Sequence, residues 1–291
     1  MKSTNTQRFA LIDTIRGFLV IAMVIYHAVY CFVSFSIIKI DLYTGFWWWF
    51  PRSIAAGFLT VSGWSLAASR SRGKTFKQAS RRLVKLAGLA LVVSLATLIT
   101  FGPQYFVFFG ILHCIAAASL ICWPIAAPIK KEQATFVASS LLFLFGSGLL
   151  ATGIWLGTKR FDFPWLAWLG FRPAALYPVD YEPLFPWMAW FVFGIALYPI
   201  SLVLMLRNKR ITAHASTVHD KPTMFPEPYH LTLSASANYK NDDAPAPAQQ
   251  TTHKSLQLLS IMSFLGKHSL IIYLVHLPVL YGLAWIIALA F

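Results

Sequence analysis

The chain is poor in charge, poorer still in acids, and nearly without cysteine. Only 12% of its 291 residues are Asp, Glu, Lys or Arg, about half the share of an ordinary soluble domain. That deficit excludes a large soluble globular domain. Asp and Glu together number 10 against 24 Lys and Arg, a formal charge of +14. The cations are not gathered on one polar face, as a polyanion-binding surface would require. They fall in particular loops between apolar runs, so no nucleic-acid partner is implied and the imbalance reports membrane orientation. Cys31, Cys114 and Cys122 all lie inside apolar segments without CxxC or metal-ligand spacing. Neither a disulfide framework nor a zinc site follows, and no metal is expected. The first apolar run carries His27 at its centre, lacks an Ala-x-Ala-type cleavage site and is followed by further apolar runs, which excludes a signal peptide.

What is there is long apolar sequence, 57% hydrophobic overall with a mean hydropathy of +0.62. Seven runs approach the roughly 20 residues that a bilayer core requires. They are Phe18–Ile38, Phe46–Ala68, Leu83–Phe101, Tyr105–Ala127, Ala134–Leu156, Phe185–Leu206 and Leu265–Ala290. The fold class is therefore all-α, a polytopic membrane bundle of about seven transmembrane helices. With the N-terminus cytoplasmic, 19 of the 24 basic residues fall on the inner side, leaving Lys39, Arg52, Lys159, Arg160 and Arg172 outside, as the positive-inside rule demands. Trp47, Trp48 and Trp49, with Trp165, Trp168 and Trp187, mark the outer interface, where an indole is half buried and its N–H reaches water. Residues 1–206 read as a membrane domain of six spans and 258–291 as the last span. Between them, 207–257 changes to Pro, Ser, Thr, Ala, Asn and Gln and reads as a flexible cytoplasmic linker. A cytoplasmic (inner) membrane location follows, with the lipid bilayer as one partner and a homo-oligomer left open.

Polar residues within the spans carry the functional reading, because an ionisable group in a bilayer is costly unless it has a partner or a task. Asp13, Arg16, Val20 and His27 are spaced three, four and seven apart, which keeps them on one helical stripe. Arg16 and His27 lie roughly 16 Å apart along that helix, one at the membrane edge and one well inside. His113 and His276 fall near mid-depth in their own runs, so three histidines at one depth suggest a shared polar centre. Imidazole can take a proton from an attacking amine or hydroxyl and return one to a leaving thiolate, or carry an acyl group itself. The same residues would serve a transporter or flippase for a sugar or lipid-linked substrate as a proton relay, or bond neighbouring helices together. The run Arg70–Lys85 reads as inner-face topology, with a phosphate-binding role for Arg81, Arg82 and Lys85 as the alternative. In the outer loop Gly157–Pro183, Arg172, Asp180 and Glu182 stand among prolines and tyrosines, as a pocket wall or a plain connector.

Several stretches stand out in order: Arg8 with Ile12-Asp13-Thr14-Ile15-Arg16-Gly17 and His27; Gly57-Phe58-Leu59 to Ser62-Gly63; Phe109-Gly110-Ile111-Leu112-His113; Asp180-Tyr181-Glu182-Pro183 through Trp187 to Gly194; and Leu265-Gly266-Lys267-His268-Ser269-Leu270 to Tyr273, His276 and Pro278. Together they resemble the heparan-alpha-glucosaminide N-acetyltransferase catalytic-domain family within a wider set of transmembrane acyltransferases. The resemblance implies an acyltransferase that takes acetyl-CoA as co-substrate from the cytoplasm and delivers acetyl to a sugar or glycan acceptor outside. It places Asp13 and Arg16 at the CoA entry, with His27 toward the acceptor, His113 as the alternative base and Asp180 on sugar hydroxyls or the amine. His276 joins them as a site residue from its mid-depth position. Lysosomal members look as though they place a histidine in the loop after the first span and an asparagine where His27 stands. Here the loop Lys39–Gly45 has no histidine and Asp41 is its only acid, so this chain resembles a bacterial-type member whose implied acceptor is a cell-envelope glycan.

Overall fold

The computed structural model describes the backbone of residues 2–128, 132–161, 163–174, 180–219 and 248–290, with side chains over 11–128, 135–161, 163–174, 180–205 and 257–290. It is a helical bundle: α1 (Lys2–Ser34), α2 (Gly45–Ser71), α3 (Phe76–Phe101), α4 (Ile111–Ile121), α5 (Glu132–Gly157), a 3₁₀ turn (Pro164–Leu169), α6 (Leu184–His219), α7 (Ala248–Lys267) and α8 (Ser269–Ala290). No strands occur among the described residues. Of the expected linker, 220–247 lie outside the described residues. On either side the backbone is helical, in α6 to His219 and in α7 from Ala248.

Among the described residues, five helices are long and apolar enough to cross a membrane: α1 over Leu11–Ser34, α3, α5 over Thr135–Gly157, α6 over Leu184–Met205, and α8. In α3 and α8 only 11% of the apolar window is buried within the protein, so most of their Leu, Ile and Val side chains meet lipid. The chain is a multi-pass membrane protein. Two of the seven expected runs behave differently. At 27 residues α2 is long enough, but Arg52 and its Ser, Thr, Gly and Trp residues make it less apolar. It can afford them because it packs between α1 and α6 and buries nine residues.

The expected span Tyr105–Ala127 is mostly not a helix. Only Ile111–Ile121 is, about 16 Å long, half a bilayer core. Gly102, with φ +77, and Pro103 end α3 and turn the chain inward. The segment from Phe106 to Gly110 then runs without helix, its polar groups met by protein: Val107 N–H donates to Thr97 Oγ1 at 3.0 Å, and Val107 O accepts from Ser94 Oγ at 2.6 Å. Glu182 N–H donates to Phe109 O at 2.8 Å, and Phe109 bridges to Tyr181. Irregular backbone at membrane depth survives only where protein satisfies it in this way.

Glycines set two close crossings. A Cβ on Gly63 would strike the Phe191 carbonyl, and one on Gly194 the Thr60 carbonyl, so α2 and α6 touch backbone to backbone. Gly17 and Gly266 do the same for α1 and α7, against Met262 and Asp13. Small residues permit such approach where no hydrophobic force drives helices together. The crossing at Gly17 and Gly266, then the ring pairs His27–His276 and Phe35–Tyr281, follow in order along both segments. The α7–α8 rod therefore runs parallel to α1.

Candidate functional site

With the Lys- and Arg-rich ends taken as cytoplasmic, the inner part of the site is built on α1. Arg16 Nη1 lies 3.1 Å from Asp13 Oδ1, three residues back on the same face, and Nη2 donates to Ser65 Oγ on α2 at 2.6 Å. Ser65 in turn donates to Val61 O at 2.7 Å, which orients its oxygen toward the guanidinium. Arg82 on α3 is close enough for its charge to repel that of Arg16. Two guanidiniums against one carboxylate leave this corner net positive, as an anion requires. Arg81 and Lys85, exposed on α3 as Arg82 is, have no partner among the described residues.

About three helical turns further on, His27 and His276 meet edge to face, ring centroids 4.8 Å apart. His27 Nδ1 contacts Met23 O at 2.9 Å, and His276 Nδ1 contacts Tyr273 O at 2.7 Å and Ile272 O at 3.1 Å. A carbonyl can only accept, so each bond puts the ring proton on Nδ1 and leaves Nε2 as a lone pair. His276 Nε2 is buried and has no partner.

His113 does not join that pair among the contacts of the described residues. It sits in the first turn of α4, where its Nδ1 accepts from Gly110 N–H at 3.2 Å and its Nε2 lies 3.3 Å from Ser94 Oγ. Both ring nitrogens are engaged in holding the turn into α4. The three histidines are thus a pair and a cap.

The outer loop reaches inward to complete the site. Asp180 accepts from Ile111 N–H at the start of α4, where the helix's unpaired N–H groups favour an anion. Gly110 makes this possible, because a Cβ there would collide with the Asp180 carboxylate. Asp180 and Glu182 both interact electrostatically with Tyr273, one turn before His276 on α8. Glu182 also interacts with Arg52 on α2, which in turn feels Tyr26 beside His27. Ring contacts thus join Tyr26, His27, His276 and Tyr273 in a row, and the charges of Arg52 at one end and of Asp180 and Glu182 at the other act on it. Asp180 is the outer-loop residue expected at the site; Glu182, expected only as part of a pocket wall, and Arg52 and Tyr273, not expected there, join it. One signal was legible: Asp180 and Glu182 are two apart on extended chain, which points both side chains to one face.

Burial pushes the Asp180 carboxyl up to about 6, the Ile111 N–H pulling weakly the other way. Glu182 is raised further, first by burial and then by the Asp180 charge, with Arg52 offsetting part. A carboxyl whose folded value lies above its unfolded value of about 3.9 stabilises the fold at low pH and loses that contribution as pH rises toward 6. Thermal stability should therefore fall between about pH 4 and 6, and Asp180→Asn should flatten that decline. Melting curves of both proteins across this range test it; parallel pH profiles would refute it.

The sequence model described as "Heparan-alpha-glucosaminide N-acetyltransferase, catalytic" matches residues 8–225. The match takes in α1 to α6 and stops before α7 and α8, so His276 lies beyond it. No curated protein and no solved structure matches the chain. With a match over most of its length, carrying both the Asp13–Arg16 corner and the loop with Asp180, the chain belongs to the heparan-alpha-glucosaminide N-acetyltransferase catalytic-domain family of membrane acetyltransferases.

Proposed function

We propose that the protein transfers acetyl from cytoplasmic acetyl-CoA to an amino or hydroxyl group of a sugar or glycan on the outer side of the inner membrane. The observation that carries this reading is the His27–His276 pair, each ring held by a backbone carbonyl with its Nε2 free, between a cationic corner and a carboxylate-lined mouth. Arg16 and Arg82 take the CoA phosphates, with Asp13 and Ser65 orienting Arg16. Arg16 and His27 are roughly 16 Å apart along α1. The pantetheine arm, comparable to four extended residues, reaches about 14 Å, which brings the thioester to the histidines.

There the acceptor nitrogen or oxygen attacks the thioester carbonyl carbon. His27 Nε2 accepts its proton, and the C–S bond breaks as the tetrahedral intermediate collapses. The imidazolium then protonates the departing thiolate. His276 shares the proton with His27 and Asp180 hydrogen-bonds the acceptor, while His113 is assigned to shaping the turn into α4.

The test is acceptor-dependent CoA release by the purified protein in lipid nanodiscs, followed by thiol appearance. Absence of acyl-CoA binding, or of release with any sugar, sinks the reading. Arg16→Gln should raise the acetyl-CoA KM about tenfold or more, the value of a charge-assisted hydrogen bond, with the acceptor KM unchanged. An effect on both constants alike would count against a phosphate role.

A further inference from the structure

Arg70, in the last turn of α2, is a cation without an anion. Its Cζ stands 4.3 Å over the Trp123 ring, and its Nε is buried without a hydrogen-bond partner. Stacking uses the face of the guanidinium; the N–H groups lie in its plane and still need acceptors. No acid among the described residues supplies one. Asp13 is held by Arg16, and Asp41 accepts from Tyr43 N–H and Thr44 Oγ1. Asp180 and Glu182 precede α6 at its outer end, whereas Arg70 closes α2 at the inner one. A buried guanidinium N–H left unpaired is costly, so the position favours an anionic guest from outside the chain.

An apolar groove begins beside it. Ala67 and Ser71 share a helical face with Arg70 and line the groove. Its other walls are residues 125–128 of the turn that carries Trp123, Leu142 of α5, and Ile195, Tyr198 and Leu202 of α6. From Leu202 to Ile195 it runs about 10 Å along α6, roughly two-thirds of the half-thickness of a bilayer core. A free anion would satisfy Arg70 and leave the groove empty; an apolar molecule would fill the groove and leave Arg70 unpaired. An acidic phospholipid does both. Its phosphate oxygens accept from the guanidinium fork, and one acyl chain lies along the groove. Its net negative charge suits a rim that continues into Arg72 and Lys74, and the cytoplasmic leaflet carries such lipids.

We infer that the groove between α2, α5 and α6 holds one anionic phospholipid of the inner leaflet, with its phosphate on Arg70 and an acyl chain against Leu142 and Ile195. None of the lining residues belongs to α1, α7 or α8, which carry Arg16 and the histidine pair. The lipid site is therefore separate from the acyl-transfer site and does not depend on that reading.

The experiment titrates the full-length protein in detergent with phosphatidylglycerol or phosphatidylcholine of equal chain length and counts bound lipids by native mass spectrometry. The native protein should hold one phosphatidylglycerol at least about tenfold more tightly than phosphatidylcholine. Arg70→Gln should lose about tenfold in that affinity, the value of a charge-assisted hydrogen bond. Arg81→Gln, the same change of charge at an exposed position, should keep it. Leu142→Trp, which fills the groove and leaves Arg70 in place, should also weaken phosphatidylglycerol, and it carries the test if Arg70→Gln does not fold. Equal binding of the two lipids, equal losses in the two arginine variants, or undiminished binding by Leu142→Trp overturns the site. Displacement of the lipid by millimolar inorganic phosphate would reveal an anion site without a chain and overturns it too. So does a dimer that Leu142→Trp disperses with the lipid count unchanged, since a second copy would then fill the groove.

Discussion

Replacing His27 with glutamine should lower acceptor-dependent CoA release about 10²- to 10⁴-fold, the usual contribution of a positioned general base, while acetyl-CoA still binds. Glutamine keeps a hydrogen-bonding group of similar reach and removes the lone pair that takes the proton. His276→Gln should also be impaired, because its imidazole lies 4.8 Å from that of His27 and shares the proton. The double replacement should be little worse than the poorer single one, as for residues that act as a unit. Steady-state kinetics on the three variants checks this. Full turnover in His27→Gln would remove the base from the mechanism, and additive losses would separate the two rings. His113→Gln supplies the contrast: a residue that caps α4 through Gly110 and Ser94 should show its loss as a lowered melting temperature.

The second large effect is expected at a residue that touches no substrate. A Cβ at Gly266 would overlap the Asp13 carbonyl, and one at Gly17 the Met262 carbonyl. Gly266→Ala must push α7 off α1, and overpacking of this kind costs about 1–3 kcal/mol. That loss outweighs the ~1 kcal/mol by which alanine is the better helix former. The site should suffer as well. Asp13, which orients Arg16, lies at the crossing, and the histidine pair follows ten residues on along both helices (17 to 27, 266 to 276). Gly282 on α8 is the control, since a Cβ there meets nothing within 4 Å. Gly282→Ala should be neutral or slightly stabilising. Melting temperature and CoA release of the two variants decide the matter; equal behaviour would mean that the crossing is not tight.

Much of the membrane architecture was legible along the chain. Hydropathy and the distribution of Lys and Arg reflect the bilayer, which acts on each segment separately. Runs such as Leu83–Phe101 and Ala134–Leu156 could therefore be recognised without their neighbours, and they reappear as α3 and α5. Tyr105–Ala127 was misread for the complementary reason. Its residues are as apolar as a span, but the Gly102-Pro103 turn and the hydrogen bonds from Ser94, Thr97 and Glu182 hold its first part out of helix. Hydropathy does not register hydrogen bonds from other segments.

The site divides in the same way. Asp13 and Arg16 are three apart on one helix, so their ion pair was implied by spacing alone and is present at 3.1 Å. The histidines were each visible as costly intramembrane residues, but which two would pair was not.

What the sequence determined by itself is whatever one helix and one bilayer decide between them: the apolar runs, the cationic loops between them, the Asp13–Arg16 stripe and the membership of a family. The tertiary structure decided the rest. It paired His27 with His276 and withheld His113, shortened α4 to half a span, and drew Asp180 and Glu182 in toward Tyr273. Those outcomes depend on distances between segments far apart in the chain, set by glycine crossings and by hydrogen bonds from one segment to another. No local pattern encodes such distances, because the same side chains at the same spacing pair or fail to pair according to how closely two backbones approach.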